Sequence, residues 1–153
     1  MNMLDIYMNR QKKVKTEYGV PFECVELVRR FYNQYYGLTF PSVKDAYEMF
    51  EKIETLIHTN NHQVILLQTI TAPNIDRLCV GDILFWKRNK NNDYYGHVAI
   101  VVYSDRKKVV IAQQNEKNSL EVFDINKKSS DFLGIKRLPD WIQKPAIIYV
   151  KVI

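Results

Sequence analysis

Cysteine, glycine and proline are scarce in this 153-residue chain, at two, five and five residues. Cys24 and Cys79 are too few for a disulfide framework, and a chain this long needs no covalent staple. Five glycines leave no phosphate-cradling loop, so nucleotide use is not expected. No run approaches the roughly 20 apolar residues of a membrane span. The segment Met1-Asn2-Met3-Leu4-Asp5-Ile6 lacks the basic stretch, apolar run and small-residue cleavage site of an export signal. The expectation is therefore a cytoplasmic, reducing setting with free thiols. There is no internal repeat, linker or low-complexity tract. With 46% hydrophobic and 25% charged residues, the chain reads as one folded domain over residues 1–153, with 1–16 as a flexible or capping arm.

The charge is uneven. Lys plus Arg number 22 against 17 Asp plus Glu, a formal +5. Residues 1–79 carry 9 of each sign, so residues 80–153, with 13 basic and 8 acidic, hold the whole excess. The basic clusters (Lys87-Arg88, Arg106-Lys107-Lys108, Lys127-Lys128, Lys136-Arg137) read as solvated turns and edges rather than a nucleic-acid surface.

From Cys24 to Tyr36 the residues Cys24, Leu27, Val28, Phe31 and Tyr35 fall on one face at helical spacing, with Pro21 before them and Gly37 after. A second helix is predicted from Ser42, with Ser42-Val43-Lys44-Asp45 as a capping box and an apolar face running to Ile57. Val64-Ile65-Leu66-Leu67 is either a short strand or a helical turn, and Thr71–Asn74 a turn. Beyond Gly81 the runs Ile83–Trp86, His97–Tyr103, Val109–Gln113, Leu120–Phe123, Leu133–Ile135 and Ala146–Val152 read as strands. Helices first and strands later predict an α+β fold, with N-terminal helices packed on a C-terminal antiparallel sheet.

Two features carry chemistry. Cys24 opens an amphipathic helix, where unpaired N–H groups lower a thiol pKa and can hold an oxyanion. His97 heads an apolar strand, and Gly96 before it leaves room beside the ring. A hairpin turning around Asp105 with paired residues summing to 210 sets His97 opposite Gln113, with Asn115 one step further on that face. A slip of one residue puts Gln114 there instead. An amide beside the imidazole fixes its tautomer, which completes the nucleophile, base and orienting group of thiol catalysis. His58 and His62 read as exposed loop histidines rather than a metal pair, Cys79 as buried packing, and Tyr94 and Tyr95 as residues lining a cleft.

The ordered motifs Phe22-Glu23-Cys24-Val25-Glu26-Leu27-Val28-Arg29-Arg30-Phe31, Gly81-Asp82-Ile83-Leu84-Phe85-Trp86, Gly96-His97-Val98-Ala99-Ile100-Val101 and Ile111-Ala112-Gln113-Gln114-Asn115 resemble the CHAP family. These are cysteine- and histidine-dependent amidohydrolases/peptidases of the papain-like NlpC/P60 group, and the amidase domain of glutathionylspermidine and trypanothione synthetases is the nearest in flavour. The resemblance runs from about residue 17 to about residue 138 and implies a papain-like fold. It assigns Cys24 as nucleophile and His97 as general base, with Arg29 in substrate binding and Asn115 near the histidine; Gln113 takes the orienting place, and Asn115 and Tyr95 are counted with Arg29 as candidate substrate-binding residues. It implies no metal or organic cofactor, and a small peptide-like or polyamine-conjugate amide as substrate. The alternatives are peptidoglycan cleavage or a binding module that has lost catalysis. The departure is Gln113, where such amidases typically carry Glu; an amide orients an imidazole but supplies no charge to an imidazolium. Nearby Glu116 is a candidate to supply it.

Overall fold

A computed structural model describes residues 3–7, 18, 23–92 and 94–153. In chain order the elements are β1 (Leu4–Ile6), α1 (Cys24–Tyr36), β2 (Leu38–Thr39), α2 (Ala46–Lys52), β3 (Thr55–His58), β4 (Val64–Leu66) and β5 (Gln68–Thr71). They continue with β6 (Ile83–Trp86), β7 (His97–Ser104), β8 (Val109–Ala112), β9 (Leu120–Phe123), β10 (Phe132–Arg137) and β11 (Val150–Val152). Among the described residues three sheets form: β5-β10-β6-β7-β8-β9, β2-β3-β4, and the pair β1-β11. The large sheet is antiparallel throughout. The mixed α+β class is as expected, with the two helices preceding the main sheet.

α1 ends as its sequence demands. Gly37 adopts a left-handed φ of 66° and returns its N–H to the Asn33 carbonyl at 2.8 Å. Leu27, Val28, Phe31 and Tyr32 are fully buried, and they join Phe85, Val98, Ile100 and Val102 in the principal core on one face of the sheet. Leu84, Ala99, Val101, Ile111 and Ile135 form a second core. Because side chains alternate along β6 and β7, the sheet is covered on both faces.

Several expectations are corrected. α2 starts at Ala46, not Ser42. Asp45 is its cap, accepting from the Glu48 N–H at 2.9 Å while also binding the Arg88 guanidinium; a carboxylate with two partners outcompetes the exposed serine three residues earlier. The helix stops at Lys52, and Ile57 lies on β3, where Thr55–Ile57 pairs with Val64–Leu66. Val64–Leu66 is a strand, and Ala72–Asn74 a short 3-10 turn. Only Val150–Val152 of the predicted last strand is extended. Part of the N-terminal arm is structure: Leu4 and Ile6 are fully buried and β1 runs parallel to β11. Residues 1, 2 and 8–16 of that arm, and Pro21, lie outside the described residues. No helix among the described residues is long and apolar enough to cross a membrane.

Candidate active site

Cys24 is the first residue of α1. Glu23 before it is extended and offers no side-chain cap to the N–H groups at the helix start. The thiol is buried at 7% exposure, and the backbone N–H groups of Val98, Cys24 and Val25 face the sulfur. Each favours a thiolate, but burial outweighs them and pushes the thiol up to about 12 from an ordinary 9.0. The predicted lowering by the helix terminus is therefore overridden by desolvation. Packing of α1 on β7 sets the sulfur against Val98, the residue after His97. Among the described residues no hydrogen bond joins thiol and imidazole.

His97 begins β7 and is buried. Gly96, at φ 77°, does not leave space beside the ring. A Cβ there would meet the Trp86 carbonyl oxygen at 2.9 Å and the Tyr47 nitrogen at 3.0 Å, so glycine is needed for close packing of β6 and α2. The imidazole Nε2 lies 2.8 Å from Gln113 Oε1, Nδ1 lies 3.8 Å from Glu116 Oε1, and the Trp86 ring centroid is 5.3 Å away. Gln113 Nε2 donates to the Asn118 carbonyl and to Glu121 Oε2, both at 2.9 Å. With both amide hydrogens committed to oxygens, only the carbonyl oxygen of Gln113 can face the ring. Nε2 of His97 therefore carries the hydrogen, and Nδ1 keeps its lone pair. Burial holds the imidazole below its ordinary 6.5; the Gln113 bond and the charges of Glu116 and Glu121 oppose it.

The hairpin register differs from expectation and still delivers this contact. Ile100 pairs with Ala112 and Val101 with Ile111, while Tyr103 pairs with Val110 across a bulge. Pairs sum to 212 near the site, not 210. A shift of two preserves which residues share a face, so Gln113 stands diagonal to His97 instead of directly opposite. A shift of one would have exchanged it for Gln114.

None of Arg29, Asn115 and Tyr95 lines the cavity that His97 opens into. Arg29 lies 4.0 Å over the Phe40 ring and donates to the Phe40 and Pro41 carbonyls. Asn115 is exposed, at a left-handed φ of 66°. Tyr95 is exposed, and its backbone bonds Asn92 and Tyr47. A cavity of about 480 Å³ is walled by His97, Gln113, Glu116, Glu121 and Trp86 among others, but by neither Tyr95 nor Cys24. His58 is half-buried on β3 rather than in an exposed loop, His62 is exposed, and Cys79 is half-buried, less enclosed than expected. No three His, Cys, Asp or Glu side chains among the described residues are grouped to hold a metal ion.

Sequence reasoning missed the buried network behind Cys24. Glu26 and Arg30, four apart on α1, pair at 2.9 Å. Gln114 accepts from Arg30 at 3.0 Å and donates to Glu26 at 3.1 Å and to the Glu23 carbonyl at 2.9 Å. The Glu-to-Arg spacing was the available signal. Thus adjacent glutamines serve adjacent tasks: Gln113 holds His97, and Gln114 holds the residue before Cys24.

A CHAP domain model matches residues 14–115 of this sequence. The chain belongs to the CHAP-domain family. Among similar proteins are the bifunctional glutathionylspermidine synthetase/amidase of Escherichia coli (strain K12) and that of Shigella flexneri. Each is 33% identical over 97 residues, covering 63% of this CHAP chain and 16% of the relative. The CHAP chain therefore spans about a sixth of the length of those relatives.

Proposed function

We propose that the protein is a cysteine-dependent amidohydrolase with Cys24 as nucleophile and His97 as general base and acid. The observation supporting this reading is the conjunction at β7: the Cys24 sulfur lies against the Val98 N–H, and the neighbouring imidazole is held through Nε2 by Gln113. Burial favours the uncharged form of both side chains. The pair rests as thiol and imidazole, and the proton moves to Nδ1 as sulfur attacks the amide carbonyl. The oxyanion is received by N–H groups at the start of α1, that of Cys24 included. The imidazolium then protonates the amine as the C–N bond breaks, leaving a thioester. Water attacks it, His97 takes the water's proton, and acid and thiol are released. A cysteine at a helix start, with a histidine at the head of the antiparallel strand that helix packs on, is the arrangement of papain-like hydrolases, and we assign the domain to that architecture.

By likeness to the two synthetase/amidases, the substrate class is a small peptide-like amide, with a glutathione–polyamine conjugate first to be tried. The cavity beside His97 is less basic than the second half as a whole, because Glu116, Glu121 and Asp124 set three carboxylates in its wall against Lys127 and Lys128.

The test is the pH dependence of Cys24 alkylation by iodoacetamide, with Cys79→Ser as background and His97→Ala as comparison. At pH 7 the His97→Ala rate should fall at least about tenfold, since a positioned base is lost. An unchanged rate would sink the hydrolase reading and leave a binding module on the same fold. Hydrolysis of glutathionylspermidine followed by mass spectrometry then tests the substrate. Clearing of a cell-wall suspension without that hydrolysis would assign peptidoglycan instead.

A further inference from the structure

We propose that Glu121 is a positioning residue of this site, acting through Gln113 to fix the imidazole tautomer and supply the negative charge that residue 113 lacks; this rests on the Cys24–His97 assignment above. The sheet places it there. β9 pairs with β8 so that Glu121 stands opposite Ile111, and Ile111 shares a face with Gln113 two residues on. Glu121 is thus diagonal to Gln113 on one side, and His97 is diagonal on the other. The three side chains form a continuous line: Glu121 Oε2 to Gln113 Nε2 at 2.9 Å, then Gln113 Oε1 to His97 Nε2 at 2.8 Å.

The amide in the middle is ambivalent by itself, since a half-turn of its terminal group would present N–H to the ring and demand the opposite tautomer. Two acceptors prevent that, the Asn118 carbonyl and the Glu121 carboxylate. The two bonds are equal in length, and the carboxylate is the stronger acceptor because it is charged. The same geometry accounts for glutamine at 113. A glutamate there would hold a carboxylate oxygen about 2.9 Å from that of Glu121, and two carboxylates so close cannot both ionise. The charge is present in this site, displaced by one side chain.

A competing role for Glu121 is to blunt an exposed edge strand, for Leu120 and Val122 beside it are 45% and 63% exposed. An edge charge serves that purpose pointing anywhere; this one meets Gln113. The other charged groups around the ring are Glu116, near Nδ1, and, on the cavity wall, Asp124, Lys127 and Lys128.

The experiment is long-range imidazole 15N–1H NMR across pH on the intact protein, with His97 assigned by its loss in His97→Ala. Wild type, Glu121→Gln, Gln113→Glu and Gln113→Glu/Glu121→Gln are compared, together with their Cys24 alkylation rates. Glu121→Gln should mix the two tautomers, lower the imidazolium pKa and slow alkylation at pH 7 by about tenfold, at the low end for a charge-assisted bond because Glu121 is exposed. The double variant, with the charge moved next to the ring, should restore both tautomer and rate. Gln113→Glu alone should not exceed wild type. Melting temperatures confirm that each variant is folded. A Glu121→Gln spectrum and rate equal to wild type would overturn the proposal while leaving the Cys24–His97 pair intact. Failure of His97→Ala to slow wild-type alkylation is a separate result, and it would remove the pair itself.

Discussion

Cys24 ionises on different terms in the folded and unfolded chain, and that difference is measurable as stability. In the fold its thiol is pushed up to about 12 by burial, against 9.0 when solvated. Below pH 9 both states hold the proton, and the buried neutral thiol costs nothing extra. Between pH 9 and 12 only the unfolded state releases it, so stability falls as pH rises through that window. Three units correspond to an upper bound of about 4 kcal/mol at about 1.4 kcal/mol each. Cys24→Ala has no such titration. Its unfolding free energy, measured by urea titration, should therefore gain on wild type steadily from pH 9 upward. Parallel curves would show that the thiol ionises as readily folded as unfolded. His97 has the opposite sign. Its pKa is lowered by burial, so its neutral form supports the fold above about 6.5 and that support is lost as pH falls below it. The acid limb of activity should accordingly lie below the ordinary histidine range.

Between elements the decisive contacts are close and unforgiving. Gly96 lets the start of α2 meet the exit of β6 immediately before His97, and a methyl group there would lie 2.9 Å from the Trp86 carbonyl oxygen at a φ of 77°. Gly96→Ala should destabilise by about 1–3 kcal/mol and displace the ring from Gln113. A fall in Cys24 reactivity at temperatures where the variant stays folded distinguishes it from simple loss of stability. Asp82 of the turn before β6 takes both Arg137 donors, at 2.9 and 2.7 Å, and the Cys79 N–H at 2.8 Å. Asp82→Ala would leave a buried guanidinium unpaired, at about 3–5 kcal/mol, read by thermal melting.

The legibility of each element follows its physics. α1 was readable to the residue because a thirteen-residue apolar period ended at a glycine that the left-handed cap requires. β6, β7 and β9 were readable because their β-branched and aromatic runs are bounded by turn residues. β1 was not, since three residues give no usable period and their partner lies at the far end of the chain. β3 was hidden by Ile53 and Ile57, whose four-residue spacing imitates a helix. Gln113 could be found because alternation survives a register shift of two. Gln114 and Glu121 could not, because their significance lies in hydrogen bonds between strands that no local pattern encodes.

At the scale of the whole molecule, the paired ends of the chain brace the site. β1 lies along β11, with Leu4 N–H on the Tyr149 carbonyl and Ile153 N–H on the Ile6 carbonyl, both at 2.8 Å. From that strand the Asp5 carbonyl accepts from Arg30 at 2.6 Å, and the Tyr7 N–H donates to Gln114 at 3.0 Å. Arg30 and Gln114 in turn hold Glu26 and the Glu23 carbonyl, directly before Cys24. Leu4 and Ile6, each fully buried in the principal core, anchor the whole path. Leu4→Ala/Ile6→Ala should therefore cost about 4 kcal/mol or more, lowering the melting temperature by about 10 °C. Trp141→Ala, at 68% exposure, should change little. The coupling makes a further demand on the double variant. Below its melting point, Cys24 alkylation should already lose some of its dependence on His97, because the brace behind the helix start has loosened before the domain unfolds. If alkylation keeps its full wild-type His97 dependence up to the lowered melting temperature, the strand pair stabilises the fold without positioning the nucleophile.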